Sequence, residues 1–254
     1  IFYIKYKIYL YKSIIKNSDI FMPISESMSK RMKKFITLDS KIIFPLNLSA
    51  SSQYLKLKRV ETKSLIISFT GGIGWREELL LDIVEKTLEK RKDVLFLFTC
   101  LTSKHMISKE RIIEMAEEKK IRDKILFFFN LPYKKVPQIL KFSDIGMSLI
   151  PPEKKFIVSS PSKLVDYMSL GIPVVCNNEI IEQRKIIAAS ESGILVKYDS
   201  NEISKALLQL VENKLERFEM GRKGKKWIKE NRTFENLSRD VKRIYERSLQ
   251  IEKR

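Results

Sequence analysis

Histidine and cysteine are scarce in this sequence of 254 residues, which contains one histidine, His105, and two cysteines, Cys100 and Cys176. So few ligating groups exclude a disulfide scaffold and a metal site built from several His or Cys ligands, and we expect no metal. Both cysteines lie at the ends of apparent strands, which indicates small buried thiols in a reducing compartment. A Ser-His-Asp signature and a Walker loop are also missing, which excludes the enzyme classes that depend on them.

Long apolar runs are missing as well. No stretch approaches the roughly eighteen apolar residues of a membrane-spanning helix, and the apolar start of the chain is interrupted by Lys5, Lys7 and Lys12. The composition predicts a soluble globular protein, long enough for one large or two small domains. The sequence begins with Ile1 rather than methionine, and we expect the chain to be a fragment of a longer protein.

Basic residues are abundant. The 49 Lys and Arg exceed the 31 Asp and Glu, which gives a formal net charge of +18. Such a charge favours polyanions, either an anionic membrane surface or a nucleic acid. The excess is spread over nearly every predicted helix, and no nucleic-acid motif accompanies it. We therefore expect no nucleic-acid partner, while peripheral contact with an anionic membrane stays open.

Apolar segments of about five residues alternate with amphipathic helices from residue 64 onward, and this order predicts a parallel sheet covered on both faces. The fold class is therefore α/β, a doubly wound parallel sheet, over residues 64–230. The polar stretch 46–63 has no convincing periodicity and is interpreted as a linker. Short strands and a helix before it indicate the remnant of a second α/β domain over residues 1–45, and a last helix occupies 231–254.

The segment 159–177, SSPSKLVDYMSLGIPVVCN, combines a helix start, a polar pair and a buried strand. Ser160 is predicted to cap the helix, with Pro161 at its first position and Gly171 at its end. Lys163 and Asp166 then lie on one side of the first two turns, near backbone amides that attract anions. This arrangement suits a nucleotide, with the amides and Lys163 at the phosphates and Asp166 at the ribose. A capped amphipathic helix before a strand is also common in α/β proteins without such a site.

Two further loops follow strand ends, where sheets of this kind bind ligands. The first, TGGIGWR at 70–76, has glycines that permit a positive φ and close backbone approach, and Arg76 could meet a diphosphate. Its candidate site residues are Gly71, Gly72 and Arg76. The second, NLPYKKV at 130–136, could border a nucleotide base through Asn130, Leu131 and Tyr133; simple loop packing is the alternative.

The segment from Ser160 to Met168 resembles the donor-binding helix of retaining GT-B glycosyltransferases of the group 1, family-4-type class, in the variant S-P-x-K-x-x-[DE]-Y-[ML]. The resemblance extends over Asp19 to Glu26, which matches D-x-x-x-x-[VI]-S-E, and over SDIGMSL at 143–149, and it covers the chain from Asp19 to Leu249. Where many members carry a glutamate eight residues before the acidic residue, this chain has Val158.

This resemblance implies a GT-B fold and a retaining transfer of a sugar from a nucleotide diphosphate sugar to a glycan or lipid-linked acceptor, in surface polysaccharide synthesis. It implies that the donor binds at Gly71, Gly72, Arg76, Asn130, Leu131, Tyr133, Ser160, Lys163 and Asp166. Neither a cofactor nor a metal is expected beyond the donor itself. The acceptor site and catalytic groups would lie upstream of Ile1, so the chain alone is expected to transfer little sugar. We expect it in the cytoplasm or at the inner face of the membrane.

Two other functions stay open on the sequence. A GT-B-like sugar-nucleotide epimerase would share the architecture but would need acidic and histidine catalytic residues in the cleft. A nonenzymatic basic module would bind a membrane or another polyanion with a steep salt dependence and would ignore free nucleotides.

Overall fold

The computed structural model describes residues 13–14, 18, 20–33, 42–43, 45, 48–74, 76–101 and 108–251. The sequence-based interpretations of residues 1–12, Asp19 and His105 fall outside these ranges. Within them, no helix combines the length and apolar character needed to cross a bilayer.

The described residues form two parallel sheets. Strands β1 (Ile20–Phe21) and β2 (Ile42–Ile43) pair as a small sheet near the start of the chain. The main sheet has six parallel strands: β3 (Ile66–Gly72), β4 (Leu95–Leu101), β5 (Ile125–Phe129), β6 (Ile145–Ser148), β7 (Val174–Asn177) and β8 (Gly193–Val196).

The helices connect these strands and end the chain. They are α1 (Glu26–Lys33), α2 (Ser52–Lys56), α3 (Glu77–Lys90), α4 (Lys109–Glu118), α5 (Val136–Leu140), α6 (Ser162–Leu170), α7 (Ile181–Ser190), α8 (Ser200–Glu212), α9 (Lys214–Asn231) and α10 (Phe234–Ile251). Short 3₁₀ turns at Arg122–Lys124 and Tyr133–Lys135 precede β5 and α5.

The strand order is β5-β4-β3-β6-β7-β8. Strands β4 and β5 follow β3 on one side, and the chain then crosses to the other side of β3, where β6, β7 and β8 are added. Helices cover both faces because the strands are apolar on both. One core packs α3, α4 and α8 on one face, and a second packs α2, α5, α6, α7 and α9 on the other. The doubly wound fold predicted from the sequence is confirmed. Its order reverses between β3 and β6, and ligands bind outside the carboxyl ends of strands at such a point.

The predicted linker, 46–63, contains structure that the sequence did not indicate. Helix α2 lies within it, and the side chain of Tyr54 is buried against the core on the α6 face. Arg59 forms an ion pair of 2.6 Å with Asp144, whose other carboxylate oxygen accepts a hydrogen bond of 2.9 Å from the Ile66 amide. Asp144 therefore fastens the starts of two strands, β3 and β6.

The start of α6 differs from the prediction by one residue. Pro161 has φ −85° and ψ 91°, an extended conformation, so Pro161 occupies the N-cap position and the helix begins at Ser162. Ser160 is therefore not the cap, and no side chain caps this helix. The end of the helix is as predicted, because Gly171 has φ +74° in the left-handed region.

Candidate functional site

Two adjoining cavities open at the carboxyl ends of β3, β4 and β6. The larger cavity has a volume of about 400 Å³ and is lined by Thr70, Gly71, Gly72, Thr99, Cys100, Leu101, Leu131, Tyr133, Val136, Ser162, Lys163 and Asp166. The smaller cavity has a volume of about 200 Å³ and is lined by Arg76, Ser148, Ile150, Pro151, Phe156, Ser159, Ser160, Pro161, Ser162 and Lys163. Ser162 and Lys163 line both cavities, so the first turn of α6 forms their common wall.

The end of β3 lies against the side chain of Lys163 from α6, and its backbone has a conformation that favours glycine. Gly71 has φ +123°, and a Cβ at this position would lie 2.6 Å from Lys163 Nζ. The positive φ and the close approach predicted for this turn are both present. The side chain of Lys163 therefore crosses the Gly71 backbone, and its ammonium lies 6.0 Å from the centre of the Phe69 ring.

Helix α6 is held in place by Tyr167, which is fully buried beneath the sheet. Its ring fills the space where a side chain at Gly146 would lie, and its hydroxyl donates a hydrogen bond of 3.0 Å to the Ser68 carbonyl. With this face fixed, Lys163 and Asp166 point to the cavities. The first backbone N–H groups of α6 have no partner within the helix and lie where they can bind an anion.

Burial shifts the pKa values of both Lys163 and Asp166. Burial, reinforced by the nearby Arg76 cation, lowers the pKa of Lys163 to about 8, although Asp166 opposes the shift. Burial raises the pKa of Asp166 to about 7, with Lys163 opposing. Without a ligand, each group thus titrates within about one pH unit of neutrality, which is typical of functional sites.

Arg76 supplies a second cation, at the smaller cavity. Its guanidinium donates a hydrogen bond of 2.8 Å to the Leu149 carbonyl and lies 5.8 Å from the centre of the Phe69 ring, the same ring that Lys163 faces. Its Nε is buried without a hydrogen-bond partner, and burial lowers the pKa of the group. One hydrogen bond to the backbone therefore anchors this cation at the smaller cavity.

The loop after β5 forms the outer wall of the larger cavity. Asn130 adopts φ +51°, and its backbone N–H donates a hydrogen bond of 2.8 Å to the Cys100 carbonyl. This turn directs Leu131 and Tyr133 to the cavity, whereas Asn130 itself is not among the lining residues of either cavity. Tyr133 is 63% exposed.

Several residues at the site were missed by the sequence reasoning. Tyr54 packs behind Tyr133, with ring centroids 6.2 Å apart. The Asp166 carboxylate interacts electrostatically with the Tyr54 hydroxyl. Thr99 donates a hydrogen bond of 2.6 Å to Thr70 at the wall of the larger cavity. The two threonines pair in register on adjacent strands, so matching strand ends could have indicated them. No local pattern indicated Tyr54.

A buried polar network supports the smaller cavity. Ser148 donates a hydrogen bond of 2.6 Å to Gln183, which donates one of 2.8 Å to the Asn177 carbonyl. The Asn177 amide in turn exchanges hydrogen bonds of 2.9 and 3.0 Å with the backbone of Ile150. The network fixes the segment after β6 that lines this cavity.

The arrangement suits an elongated anion. Two cations and the start of a helix meet where the cavities join, and a carboxylate in the larger cavity can accept hydrogen bonds from hydroxyls. Among the described ranges, no group of three or more His, Cys, Asp or Glu side chains that could hold a metal ion is found.

Comparison with known proteins gives a family match and many similar structures. The model of the family described as "Glycosyl transferases group 1" matches residues 78–227, more than half of the chain. No curated protein sequence matches the chain.

The similar structures are distant in sequence. Sucrose-phosphate synthase from Thermosynechococcus elongatus is 13% identical with a TM-score of 0.75, over 97% of this chain and 62% of that one. TarM from S. aureus, solved with Fondaparinux, alpha-GlcNAc-glycerol and UDP, is 17% identical with a TM-score of 0.71, over 92% and 46%. HepE from Anabaena, solved with UDP and glucose, is 8% identical with a TM-score of 0.74, over 94% and 66%. The chain thus spans less than two thirds of the first two structures.

Proposed function

This chain belongs to the group 1 glycosyl transferases and has their GT-B fold, and from that premise we propose that it binds a nucleotide diphosphate sugar in the two cavities and transfers the sugar with retention at the anomeric carbon. The observation that carries the proposal is the common wall formed by Lys163. A cation placed between a cavity of about 400 Å³ and one of about 200 Å³ suits a diphosphate between a nucleoside and a sugar.

The roles of the side chains follow from their places in the two cavities. The nucleoside occupies the larger cavity, where Leu131 and Tyr133 border the base and Asp166 accepts hydrogen bonds from the ribose hydroxyls. The diphosphate lies against the amides at the start of α6, between Lys163 and Arg76. The sugar occupies the smaller cavity, beside Ser160.

In the reaction, the bond between the anomeric carbon and the diphosphate oxygen breaks, a bond to an acceptor oxygen forms on the same face of the sugar, and the proton of the acceptor hydroxyl passes to the departing diphosphate. Negative charge develops on the departing diphosphate. Lys163, Arg76 and the helix amides are fixed in place before the reaction, so they stabilise this charge without reorganisation. These groups require no cofactor, and no metal is included in the proposal.

The identities of the donor and the acceptor are further proposals. The uridine nucleotides named with TarM and HepE make a UDP-hexose the first donor to test. We take the acceptor to be a glycan or a lipid-linked glycan in surface polysaccharide synthesis at the cytoplasmic side of a membrane, with peripheral contact to anionic lipid. Tyr133 is largely exposed, so nucleotide binding by this chain alone is expected to be weak and transfer slow.

A thermal-shift panel of UDP, GDP and ADP tests the donor site. One nucleotide is expected to raise the melting temperature by several degrees at a concentration of about 100 times its Kd, since binding to the native state alone contributes about 2.7 kcal/mol there. Asp166→Asn should abolish the shift, while the exposed control Glu110→Gln should keep it. No shift with any nucleotide at millimolar concentration would contradict the proposal.

A further inference from the structure

The parallel sheet brings four basic loops together at the edge opposite the cavities. The loops that lead into β3, β4, β5 and β6 are LKRVETKS at 57–64, RKDV at 91–94, KKIRDK at 119–124 and KFSD at 141–144, with ten Lys or Arg against four Asp or Glu. All strands are parallel and these four are neighbours in the order β5-β4-β3-β6, so their amino ends lie side by side. The loops therefore form one continuous basic edge, which we call the amino edge.

Two large apolar side chains are exposed at the start of α9, next to this edge. Leu215 is 79% exposed and Phe218 is 62% exposed, both in the first turns of α9. Arg217, between them, interacts electrostatically with Asp144, Arg59 and Arg91, which belong to the amino edge. The start of α9 therefore lies beside the basic loops.

The adjoining loop adds a third apolar side chain. Val60 is 39% exposed, and its amide donates a hydrogen bond of 2.9 Å to the Lys141 carbonyl, which ties two of the basic loops together. Large apolar side chains surrounded by basic residues are typical of surfaces that lie on anionic lipid, where the apolar groups enter the headgroup region and the cations meet lipid phosphates.

Helix α9 continues this character along its length. It contains seven Lys or Arg and three Glu, and its buried side is formed by Gly221, Gly224 and Ile228. Arg222, Lys226 and Lys229 are exposed on the side that begins with Leu215 and Phe218. A purely electrostatic partner such as a nucleic acid would gain nothing from the exposed Leu and Phe, and this favours a lipid surface.

We infer that the amino edge together with Leu215 and Phe218 is the surface by which this protein docks on an anionic bilayer. The inference rests on the membrane contact included in the proposed function and specifies its position, but it does not depend on nucleotide binding. In this orientation the two cavities face away from the lipid, so a lipid-linked acceptor would reach them only through the part of its glycan that extends from the bilayer surface.

Co-sedimentation of the full chain with vesicles tests this surface. Binding is expected to vesicles of phosphatidylcholine with about 30% phosphatidylserine, and binding to pure phosphatidylcholine should be at least about tenfold weaker. Leu215→Ser with Phe218→Ser should reduce binding about tenfold or more, because it removes the groups that enter the bilayer. Lys63→Glu with Lys92→Glu, which reverses two exposed charges at the amino edge, should do the same.

Matched controls change the same residue types elsewhere. Phe234→Ser with Leu249→Ser, and Lys205→Glu with Lys242→Glu, should bind vesicles as the parent chain does. Equal loss in the edge and control charge pairs would overturn the inference, since binding would then follow total charge. Full vesicle binding by the Leu215→Ser and Phe218→Ser double variant would also overturn it, because attraction between charges alone would then account for binding.

Nucleotide thermal shifts in the same variants separate this inference from the donor proposal. The edge variants should keep the parent nucleotide shift, since none of the changed residues lines a cavity. If the edge variants and the control variants all lose vesicle binding while the nucleotide shift remains, only the docking surface is contradicted. Vesicle binding without any nucleotide shift contradicts only the donor site.

Discussion

The side chain of Lys163 lies across the backbone of Gly71, so close that a Cβ at position 71 would stand 2.1 Å from Lys163 Cε. The strand end and the helix therefore constrain each other. Gly71 leaves the space through which Lys163 reaches the junction of the cavities, and any larger residue at 71 has to move the cation.

Gly71→Ala should reduce both stability and nucleotide binding. The positive φ costs about 1–2 kcal/mol for a residue with a Cβ, and the collision displaces Lys163 from the phosphates. Gly171→Ala is the matched control, because Gly171 also has a positive φ but the nearest atom to its added Cβ is 3.6 Å away. Thermal unfolding should show a loss in both variants, whereas nucleotide titration should show a loss only in Gly71→Ala. Unchanged affinity in Gly71→Ala would contradict the role of Lys163.

Nucleotide affinity should fall as the pH rises through about 8. The pKa of Lys163 is lowered to about 8, so the free protein loses this cation above that pH and binds a diphosphate less well. Titration with UDP from pH 6.5 to about 9.5 measures the inflection, which can move upward because the bound anion favours the charged amine. Lys163→Met should bind weakly at every pH and lack the inflection, while Lys134→Met, at an exposed lysine, should retain it.

Asp166→Asn should raise the melting temperature at pH 8 while it weakens nucleotide binding. Burial raises the pKa of Asp166 to about 7, well above its unfolded value. The folded state thus binds this proton more tightly, and the stability that it contributes is full below pH 4 and lost as the pH rises through 7. The neutral amide avoids that loss, so variant and parent should differ at pH 8 and converge near pH 5.

Asp144→Asn serves as the control for that comparison. It weakens the ion pair with Arg59 and the hydrogen bond to the Ile66 amide, and its expected effect is a loss of about 1–3 kcal/mol near neutral pH. If Asp166→Asn also destabilised the protein at pH 8, the buried carboxylate would be stabilised by contacts other than those described.

Tyr54→Ala should destabilise the protein by about 3–5 kcal/mol and weaken nucleotide binding, because Tyr54 is a buried aromatic residue that supports Tyr133. Tyr54→Phe retains the ring and should preserve both properties. Denaturant unfolding and UDP titration measure the two effects. Equal stability of Tyr54→Ala and the parent would indicate that the stretch 46–63 is a loose connection after all.

Periodicity sufficed for the main sheet because each strand is a short apolar segment and each helix has its own polar face. The same local rules located Lys163 and Asp166, since residues three apart on a helix share a side. They did not locate Tyr54, whose burial comes from contacts with α5 and α6, about 80 to 110 positions along the chain. The helix start was wrong by one residue because Pro161 is buried in an extended conformation that its sequence neighbours do not specify.

Because the site consists of two cavities, the proposed sugar and base specificities of this protein can be changed independently. Since the two cavities have only Ser162 and Lys163 in common, Phe156 and Ser159 can be replaced without touching the residues proposed to hold the base and the pentose. Libraries aimed at a new sugar and libraries aimed at a new base can therefore be built and screened separately, and then combined.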